Sequence, residues 1–440
     1  MSSQNLIEKV RAAGVVGAGG AGFPTAIKLQ KKIETLIING AECEPLLHKD
    51  KELMKNFAIE IMTGVEIVRE FLEARKAIIG IKFKNTDEIK ALKRQADFRT
   101  EFCLMGDVYP AGDEFVLVYE ATGKLIPPAG IPLDIGCVVL NCETALNIAN
   151  AVNGIPVTEK MLTVAGAVNN PLTFMAPIGI TYSECIAAAG GATVSEYAIL
   201  SGGAMMGELI TDLSTPITKT TAGLIILPLE HQLIKRRMLP PKAVKRIGAS
   251  ACDQCFRCTE LCPRWLLGYD IVPHEVMRSL LFGPGERKEY YNEKAMLCIE
   301  CNVCSLYACP EDLDPKNICT MGKQEMYAKG NRPDKTREVK ANPIRSGRQV
   351  PTRMLTRKLG LAKYDIPAPY TKIMLEPSEI SIPLKQHSGT PATATVAAGQ
   401  RVSKGDLIGR IEDGVPGANV HTSIDGIVEN VGNSVVIRKA

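Results

Sequence analysis

A chain of 440 residues with net charge +4, 45% hydrophobic and 23% charged residues, exceeds one hydrophobic core, and its composition is that of a folded protein of two to four domains. The small net charge, one Trp and few aromatics exclude the basic surface and stacking platforms of a nucleic-acid binder. The polar N-terminus carries no export signal, and no apolar run reaches the roughly 18 residues of a membrane span, so a reducing, cytoplasmic setting with no membrane span is expected. In that setting the clustered cysteines among the fourteen read as metal ligands rather than disulfides.

Residues 4–12 and 51–75 are expected as helices, the first with Leu6, Ile7 and Val10 on one face. Between them lies a glycine-rich turn, Val15 to Pro24. Short apolar runs at 35–39, 77–81 and 138–140 read as buried strands, which makes residues 1–158 an α/β domain. From 159 to 232 the pattern is β-rich, with runs at 161–166 and 223–227 around one helix near 182–190, the size of a β-grasp module. Residues 240–328 hold the cysteine runs. Residues 329–377 are Pro-rich and basic, with Arg345, Arg348, Arg353, Arg357, Lys358 and Lys363. They read as an extended linker or a packed arm; of a solvated linker and a face for an acidic partner, the first is the plainer reading. Residues 378–440 alternate short strands with Gly turns and form a compact β module.

The cysteine runs carry the clearest chemistry. Cys252-Asp-Gln-Cys255-Phe-Arg-Cys258-Thr-Glu-Leu-Cys262-Pro263 has the C-x2-C-x2-C-x3-C-P spacing of bacterial ferredoxins. Two-residue gaps bring three thiolates onto one cube, while the fourth opens a helix and points to the other cluster. Cys298-Ile-Glu-Cys301-Asn-Val-Cys304-Ser-Leu-Tyr-Ala-Cys309-Pro310 repeats the run with one extra residue before its last Cys. By the ferredoxin swap, Cys252, Cys255, Cys258 and Cys309 hold one 4Fe–4S cluster, and Cys298, Cys301, Cys304 and Cys262 the other. Two zinc sites fit worse, because zinc sites use paired cysteines across a longer gap and often recruit His. The cysteines at 43, 103, 137, 142, 185 and 319 have no ligand spacing and are expected as structural thiols, with Cys43 the one to watch.

Gly17-Ala-Gly19-Gly20-Ala-Gly22-Phe23-Pro24-Thr25 precedes a helical stretch with Lys28. Glycines let backbone N–H groups approach a phosphate, yet the loop is neither a dinucleotide fingerprint nor a Walker loop. With Asn39-Gly-Ala-Glu42-Cys-Glu44-Pro45, Tyr109-Pro-Ala-Gly112-Asp113-Glu114 and Asn141-Cys-Glu143-Thr144 in the same order, it resembles the FMN domain of complex I's flavin subunit. The resemblance implies Gly17, Gly19, Gly20, Gly22, Lys28, Asn39, Gly112, Asn141 and Thr144 as FMN contacts. It implies Phe23, Glu42, Glu44, Asp113 and Glu114 on the nicotinamide side, with Glu42, Glu44 and Glu114 in catalytic roles. The pattern departs in two places: Ala18 replaces an Arg and Ala41 an acidic residue, which bears on NADH binding and leaves the flavin loop intact.

The Asn39-to-Pro45 segment resembles two families, the RnfC-type proteins of the Rnf electron-transfer complex and the PduS-type cobalamin reductases of propanediol-utilisation microcompartments, and the Cys contexts resemble the latter. The RnfC-type proteins have their small β module before the flavin-like domain. Here that module, beginning near Ile382, is C-terminal, as in the cobalamin reductases. The fold class implied is a multidomain α/β protein. It comprises a complex-I-like FMN domain, a β-grasp (SLBB-like) module, a ferredoxin-like two-cluster helical domain and a C-terminal barrel-sandwich module. The last is similar to biotinyl and lipoyl domains, but its hairpin tip, Gly414-Val-Pro-Gly417, has no Lys, so neither attachment is expected.

A nicotinamide gives up two electrons together, whereas an iron–sulfur cube accepts one at a time, and a flavin converts between them. The resemblance therefore implies an NADH-dependent oxidoreductase with FMN and two 4Fe–4S clusters. Its substrate would be cobalamin, reduced from Co(III) or Co(II) toward Co(I) in support of a B12-dependent diol dehydratase. Expected partners are NADH, cobalamin and a microcompartment shell or adenosyltransferase protein, with the chain inside or attached to a microcompartment. The alternative is an RnfC-like electron relay in a membrane ferredoxin:NAD oxidoreductase. His48 is a lone candidate ligand for cobalt, and a capped or surface His is the plainer reading.

Overall fold

In the computed structural model, which describes residues 3–440, a four-stranded sheet organises the first part of the chain. Its strands are β1 (Thr35–Gly40), β2 (Lys76–Lys82), β3 (Thr100–Met105) and, beyond the short strand β4 (Val108–Tyr109), β5 (Cys137–Asn141). The order is β3-β2-β1-β5 and every pairing is parallel. Side chains alternate across a strand: Leu36 and Ile38 pack with the helices Ala58–Phe71 and Cys142–Val152, while Ile37 packs with Val116 and Leu117 of the helix Glu114–Thr122. Burial on both faces explains the continuous apolar runs.

The helix expected over 51–75 is two, Lys49–Asn56 and Ala58–Phe71. Phe57 between them leaves helical geometry (φ −127°, ψ 34°) and sets its ring edge-on against Tyr370. Strand β3 escaped the sequence reading. It is an edge strand with half-exposed residues, so no apolar run marks it.

The second sheet is mixed, in the order β7-β6-β10-β8-β9, formed by β6 (Glu159–Gly166), β7 (Leu172–Pro177), β8 (Tyr197–Ser201), β9 (Glu208–Ile210) and β10 (Gly223–Pro228). Its helix, Tyr182–Ala188, starts at a capping box in which Thr181 and Glu184 satisfy each other's backbone N–H. Helices between Pro241 and Ala328 carry the two cysteine runs.

The basic segment that follows is packed. Strand β11 (Val350–Pro351) pairs antiparallel with β4, and Arg345 and Arg348 bond Glu120 and Glu260 at 2.5 and 2.8 Å. The C-terminal strands are β12 (Glu379–Pro383), β13 (Thr393–Ala394), β14 (Arg401–Val402), β15 (Leu407–Arg410), β16 (Val420–His421), β17 (Gly426–Val431) and β18 (Ser434–Arg438). They form two sheets, β12-β18-β17-β14 and β13-β15-β16. Lys219, buried, ties three modules together by donating to the carbonyls of Gly14 and Asn419 at 2.7 and 2.6 Å. No helix among the described residues is long and apolar enough to cross a membrane.

Candidate flavin cavity and cluster sites

In open parallel sheets, ligands bind at the carboxyl ends of the strands. Here those ends, with the second sheet facing them, enclose a cavity of about 850 Å³, within the range that takes a cofactor. Nine of the residues expected at a flavin or nicotinamide line it: Gly19, Gly20, Asn39, Glu42, Glu44, Gly112, Asp113, Glu114 and Asn141. Gly20 adopts φ +119°, open to glycine alone, and a Cβ there would meet nothing within 4 Å. A Cβ on Gly112 would come within 2.9 Å of the Ala41 carbonyl oxygen. The glycine loop therefore leaves space where a phosphorylated ligand can approach the backbone, and the cavity fits FMN.

Asn39 and Asn141 are fixed by their surroundings. Asn39 Nδ2 donates to the Gly112 carbonyl at 2.9 Å. Asn141 caps the helix Cys142–Val152 by accepting from Glu143 N–H, and its Nδ2 donates to Asp50 at 2.9 Å. Glu44 accepts from the N–H groups of Met205 and Met206 at 2.8 and 2.9 Å, yet burial pushes its carboxyl up to about 7. Glu42 accepts from Asp50 N–H at 3.1 Å, and its Oε2 is buried with no partner. Burial, then the nearby Asp50, raises its carboxyl above the usual range. Such a group readily holds a proton beside a bound cofactor.

Other expected residues do different work. Asp113 caps the helix Glu114–Thr122 by accepting from Phe115 and Val116 N–H, and it pairs with Arg264 at 3.0 Å. Its carboxylate is engaged by these contacts, while the residue still lines the cavity where a nicotinamide-side role is expected of it. Thr144 is buried, and its hydroxyl accepts from Ala18 N–H at 3.0 Å; it holds the glycine loop from below.

Gly22 (φ +62°) packs on Thr220 and His387, where a Cβ would lie 2.8 and 3.1 Å away. Gly17 closes the loop by donating to the Phe23 carbonyl. Phe23 is 40% exposed, with Lys28 Nζ 5.9 Å over its ring. Lys28 donates to the Val139 carbonyl at 3.0 Å and reaches Glu114 at 3.5 Å, and its helix is only Thr25–Lys28. None of Gly17, Gly22, Phe23, Lys28 or Thr144 is on the cavity wall.

The sequence reading missed a buried charge cluster under the loop. Lys49 pairs with Asp50 at 2.6 Å and Glu143 at 2.8 Å, and Lys160 from β6 pairs with Glu143 at 2.5 Å. The Ala18 carbonyl accepts from Lys160 at 3.0 Å and faces Lys49 at 3.5 Å. Burial would raise Glu143, but Lys160 and Lys49 outweigh it and hold the carboxyl below its usual range. Two ammonium groups thus come to the loop where the complex I flavin domain has its Arg. The available signal was a Lys inside the otherwise apolar strand at 160–166.

The eight cluster cysteines form no disulfide. Burial raises these thiols, and each feels the thiols around it: Cys258 those of Cys252, Cys309, Cys255 and Cys262; Cys304 those of Cys301, Cys298, Cys258 and Cys262; and Cys301 those of Cys262 and Cys298. The thiols therefore sort into Cys252, Cys255, Cys258 and Cys309 on one side and Cys262, Cys298, Cys301 and Cys304 on the other. In both runs the residues flanking the second Cys are left-handed: Gln254 (φ +60°) and Phe256 (+71°), then Glu300 (+60°) and Asn302 (+65°). Such alternation turns successive N–H groups inward into a nest suited to anionic sulfur, and Glu300 N–H already lies 3.4 Å from Cys298 Sγ. The residues present fit two cubes. Cys319 is buried beside Cys298, and its thiol draws the Cys298 thiol below its usual value.

Cys301 and Ile299 also line the flavin cavity. Tyr109, buried, donates to the Cys301 carbonyl at 2.9 Å and stands 3.4 Å from Glu44 Oε1. The Cys301 group is therefore the inner one, in the wall of the cavity. Cys255 is exposed and Cys252 half-buried, which makes theirs the outer group. His48 lies half-buried at the start of the helix Lys49–Asn56.

Family models match four parts of the chain: a Nuo51 FMN-binding domain at residues 10–150, an SLBB domain at 161–209, a 4Fe-4S dicluster domain at 251–314 and an RnfC barrel sandwich hybrid domain at 368–440. Among solved structures, the H2-reduced NAD+-reducing [NiFe]-hydrogenase superposes with a TM-score of 0.51 over 76% of this chain and 64% of that one, at 19% identity, a likeness of fold. One component of the Na(+)-translocating ferredoxin:NAD(+) oxidoreductase complex of Acetobacterium woodii is 34% identical over 62% of this chain and 61% of its own. Cobalamin reductase PduS of Salmonella typhimurium is 41% identical over 99% of this chain and 96% of its own length, and that of Citrobacter freundii 41% over 98% and 95%. The chain belongs to the PduS-type cobalamin reductase family.

Proposed function

We propose that this chain is an oxidoreductase that takes electrons from NADH and delivers them singly to cobalamin, lowering cobalt from Co(III) or Co(II) toward Co(I). The observation that carries the reading is one cavity whose wall holds both the glycine loop and Cys301. When bound, FMN accepts an electron pair and the clusters carry single electrons onward.

The chain's own residues do the rest. Gly19, Gly20 and Gly112 leave the backbone open to the cofactor, Asn39 and Asn141 shape its rim, and Lys49 and Lys160 hold the loop's Ala18 carbonyl from below. Glu42 and Glu44 hold or release a proton as charge arrives, and residues 201–222 of the second sheet and its loops form the facing wall of the cavity. Cys262, Cys298, Cys301 and Cys304 would hold one cluster at the cavity wall, next to the flavin, and the outer group around the exposed Cys255 would hold the second near the surface, where an acceptor can approach. An adenosyltransferase or shell partner, a microcompartment setting and service to a diol dehydratase belong to the same proposal, supported by identity to PduS along nearly the whole chain.

The test is anaerobic reconstitution with iron, sulfide and FMN, followed optically with NADH and cob(III)alamin. Cobalamin reduction that depends on both NADH and FMN is expected. Iron-loaded protein that retains no flavin defeats the reading. A protein that oxidises NADH only with membrane subunits present indicates the RnfC-like relay instead.

A further inference from the structure

A second, smaller cavity of about 260 Å³ lies against the loop of Glu42, Cys43, Glu44 and Leu47, which also lines the flavin cavity. The loop is the wall between them, and it is strained: Leu46 sits at φ +65°, a region bulky side chains avoid. The cavity carries four cations, Lys51, Lys82, Lys84 and Arg353, against the carboxylates of Asp107 and Asp365 and the partition's own Glu42 and Glu44. Lys82 and Lys84 both pair with Asp107, at 2.9 and 2.7 Å. Lys51 and Arg353 line the cavity with no carboxylate within pairing distance among the described residues. Asn85, only 5% exposed, lines it too, and its Nδ2 is buried without an acceptor. A buried amide donor left unpaired costs about 1–3 kcal/mol, and native structures rarely leave one so.

We propose that this cavity binds a small tetrahedral oxyanion, inorganic phosphate in the first instance, held by Lys51, Lys84, Arg353 and the Asn85 amide. An anion satisfies the free amide and the unpaired cations together through charge-assisted hydrogen bonds. The volume admits phosphate with a few waters, at about 30 Å³ each. Anion occupancy sits across the partition from the flavin, next to Glu42, whose Oε2 has no partner, so a bound negative charge there favours the protonated carboxyl. The site rests on its own lining residues and stands whichever acceptor the outer cluster serves.

Isothermal titration of FMN-loaded protein with potassium phosphate, against potassium chloride at equal ionic strength, tests it with the flavin's own phosphate site filled. One saturable site is expected, weakened about tenfold or more in the double variant Lys51→Gln/Arg353→Gln and about threefold in Asn85→Leu. Lys51 is half-buried and Arg353 exposed, so the double variant keeps its fold, which circular dichroism checks; Arg353→Gln alone serves if it does not. Phosphate heats that do not saturate, affinity unchanged in the variants, or adenosine monophosphate binding as tightly as phosphate each overturn the proposal.

Discussion

The two cysteine loops are the same object in two surroundings. Each puts the residues on both sides of its second Cys in the left-handed region, a conformation costing roughly 1–2 kcal/mol per non-glycine residue. The first loop lies at the surface with Cys255 exposed, and the second is buried under the flavin cavity. Packing therefore cannot be the common cause of the strain, whereas a shared cargo is. The extra residue of the second run is absorbed locally. A π-helical turn, Val303–Ala308, lets Cys309 N–H reach the Cys304 carbonyl five residues back, where Cys262 N–H reaches Thr259 three back. After that adjustment the two final cysteines have matching backbones, φ −68° and ψ 120° at Cys262 and φ −69° and ψ 122° at Cys309. What differs is burial, and the proposed function turns that difference into an order: inner group first, outer group last.

The largest expected effect separates the two. Cys301→Ser removes a ligand of the inner group only; iron and sulfide fall by about half, and NADH-to-cobalamin turnover drops at least ~100-fold. Cys255→Ser loses the same iron and the same turnover, but NADH still reduces the inner cluster, visible by EPR. If the remaining cluster of Cys255→Ser stays oxidised under NADH, the inner-to-outer order is wrong.

The next effect comes from the residues after each final Cys-Pro. After Cys262-Pro263 comes Arg264, which is buried, pairs with Asp113 at 3.0 Å and lies over the Phe115 ring at 3.5 Å. After Cys309-Pro310 comes Glu311, which makes no such tether. Asp113→Ala therefore strips a helix cap and leaves a buried guanidinium unpaired, an expected loss of ~3 kcal/mol in denaturant unfolding. A loss under ~1 kcal/mol would mean that this tether does not join the flavin and cluster domains energetically.

The cluster motif was legible because its geometry is local: two-residue gaps and left-handed turns lie within twelve residues. The flavin motif was legible in part. Asn39, Gly112 and Asn141 reach the cavity from strand ends and turns that the motif itself defines. Lys160 and the Met205 and Met206 amides come from the second sheet, and only its packing against the first domain brings them there. Asp113 and Thr144 carry a duty that the motif does not display: backbone N–H groups of Phe115, Val116 and Ala18 claim their carboxylate and hydroxyl. The strands β7, β8 and β9 went unread because their short runs are interrupted by turn residues, and a sheet forms only once β6 and β10 pair in parallel across 60 residues.

Glu44 gives a smaller, pH-dependent effect. Its folded carboxyl is pushed up to about 7 by burial, against an ordinary value of about 4.3. A raised carboxyl holds its proton longer in the folded state, so its stabilisation is full below about pH 4.5 and is lost as pH rises through about 7. Wild type minus Glu44→Gln should show this slope, on the order of 2 kcal/mol after solvent screening, in melts from pH 5 to 8. The same variant should lose an inflection near pH 7 in NADH oxidation. A parallel pair of stability curves would show that Glu44 titrates alike in both states.

The smallest effect sharpens the inner–outer contrast most directly. Tyr109 donates to the Cys301 carbonyl, and among the described residues the outer loop has no such tyrosine contact. Tyr109→Phe keeps the ring and removes one neutral hydrogen bond, an expected cost of ~1 kcal/mol. The freed carbonyl then turns its negative end toward the inner thiols unopposed. Added negative potential disfavours the reduced cluster, so the inner midpoint potential should fall while the outer one stays fixed in a redox titration followed by EPR. If both potentials move together, the substitution has disturbed the packing of the whole cluster domain. If neither moves, the Tyr109 contact sets geometry alone, and the difference between the two clusters rests on burial.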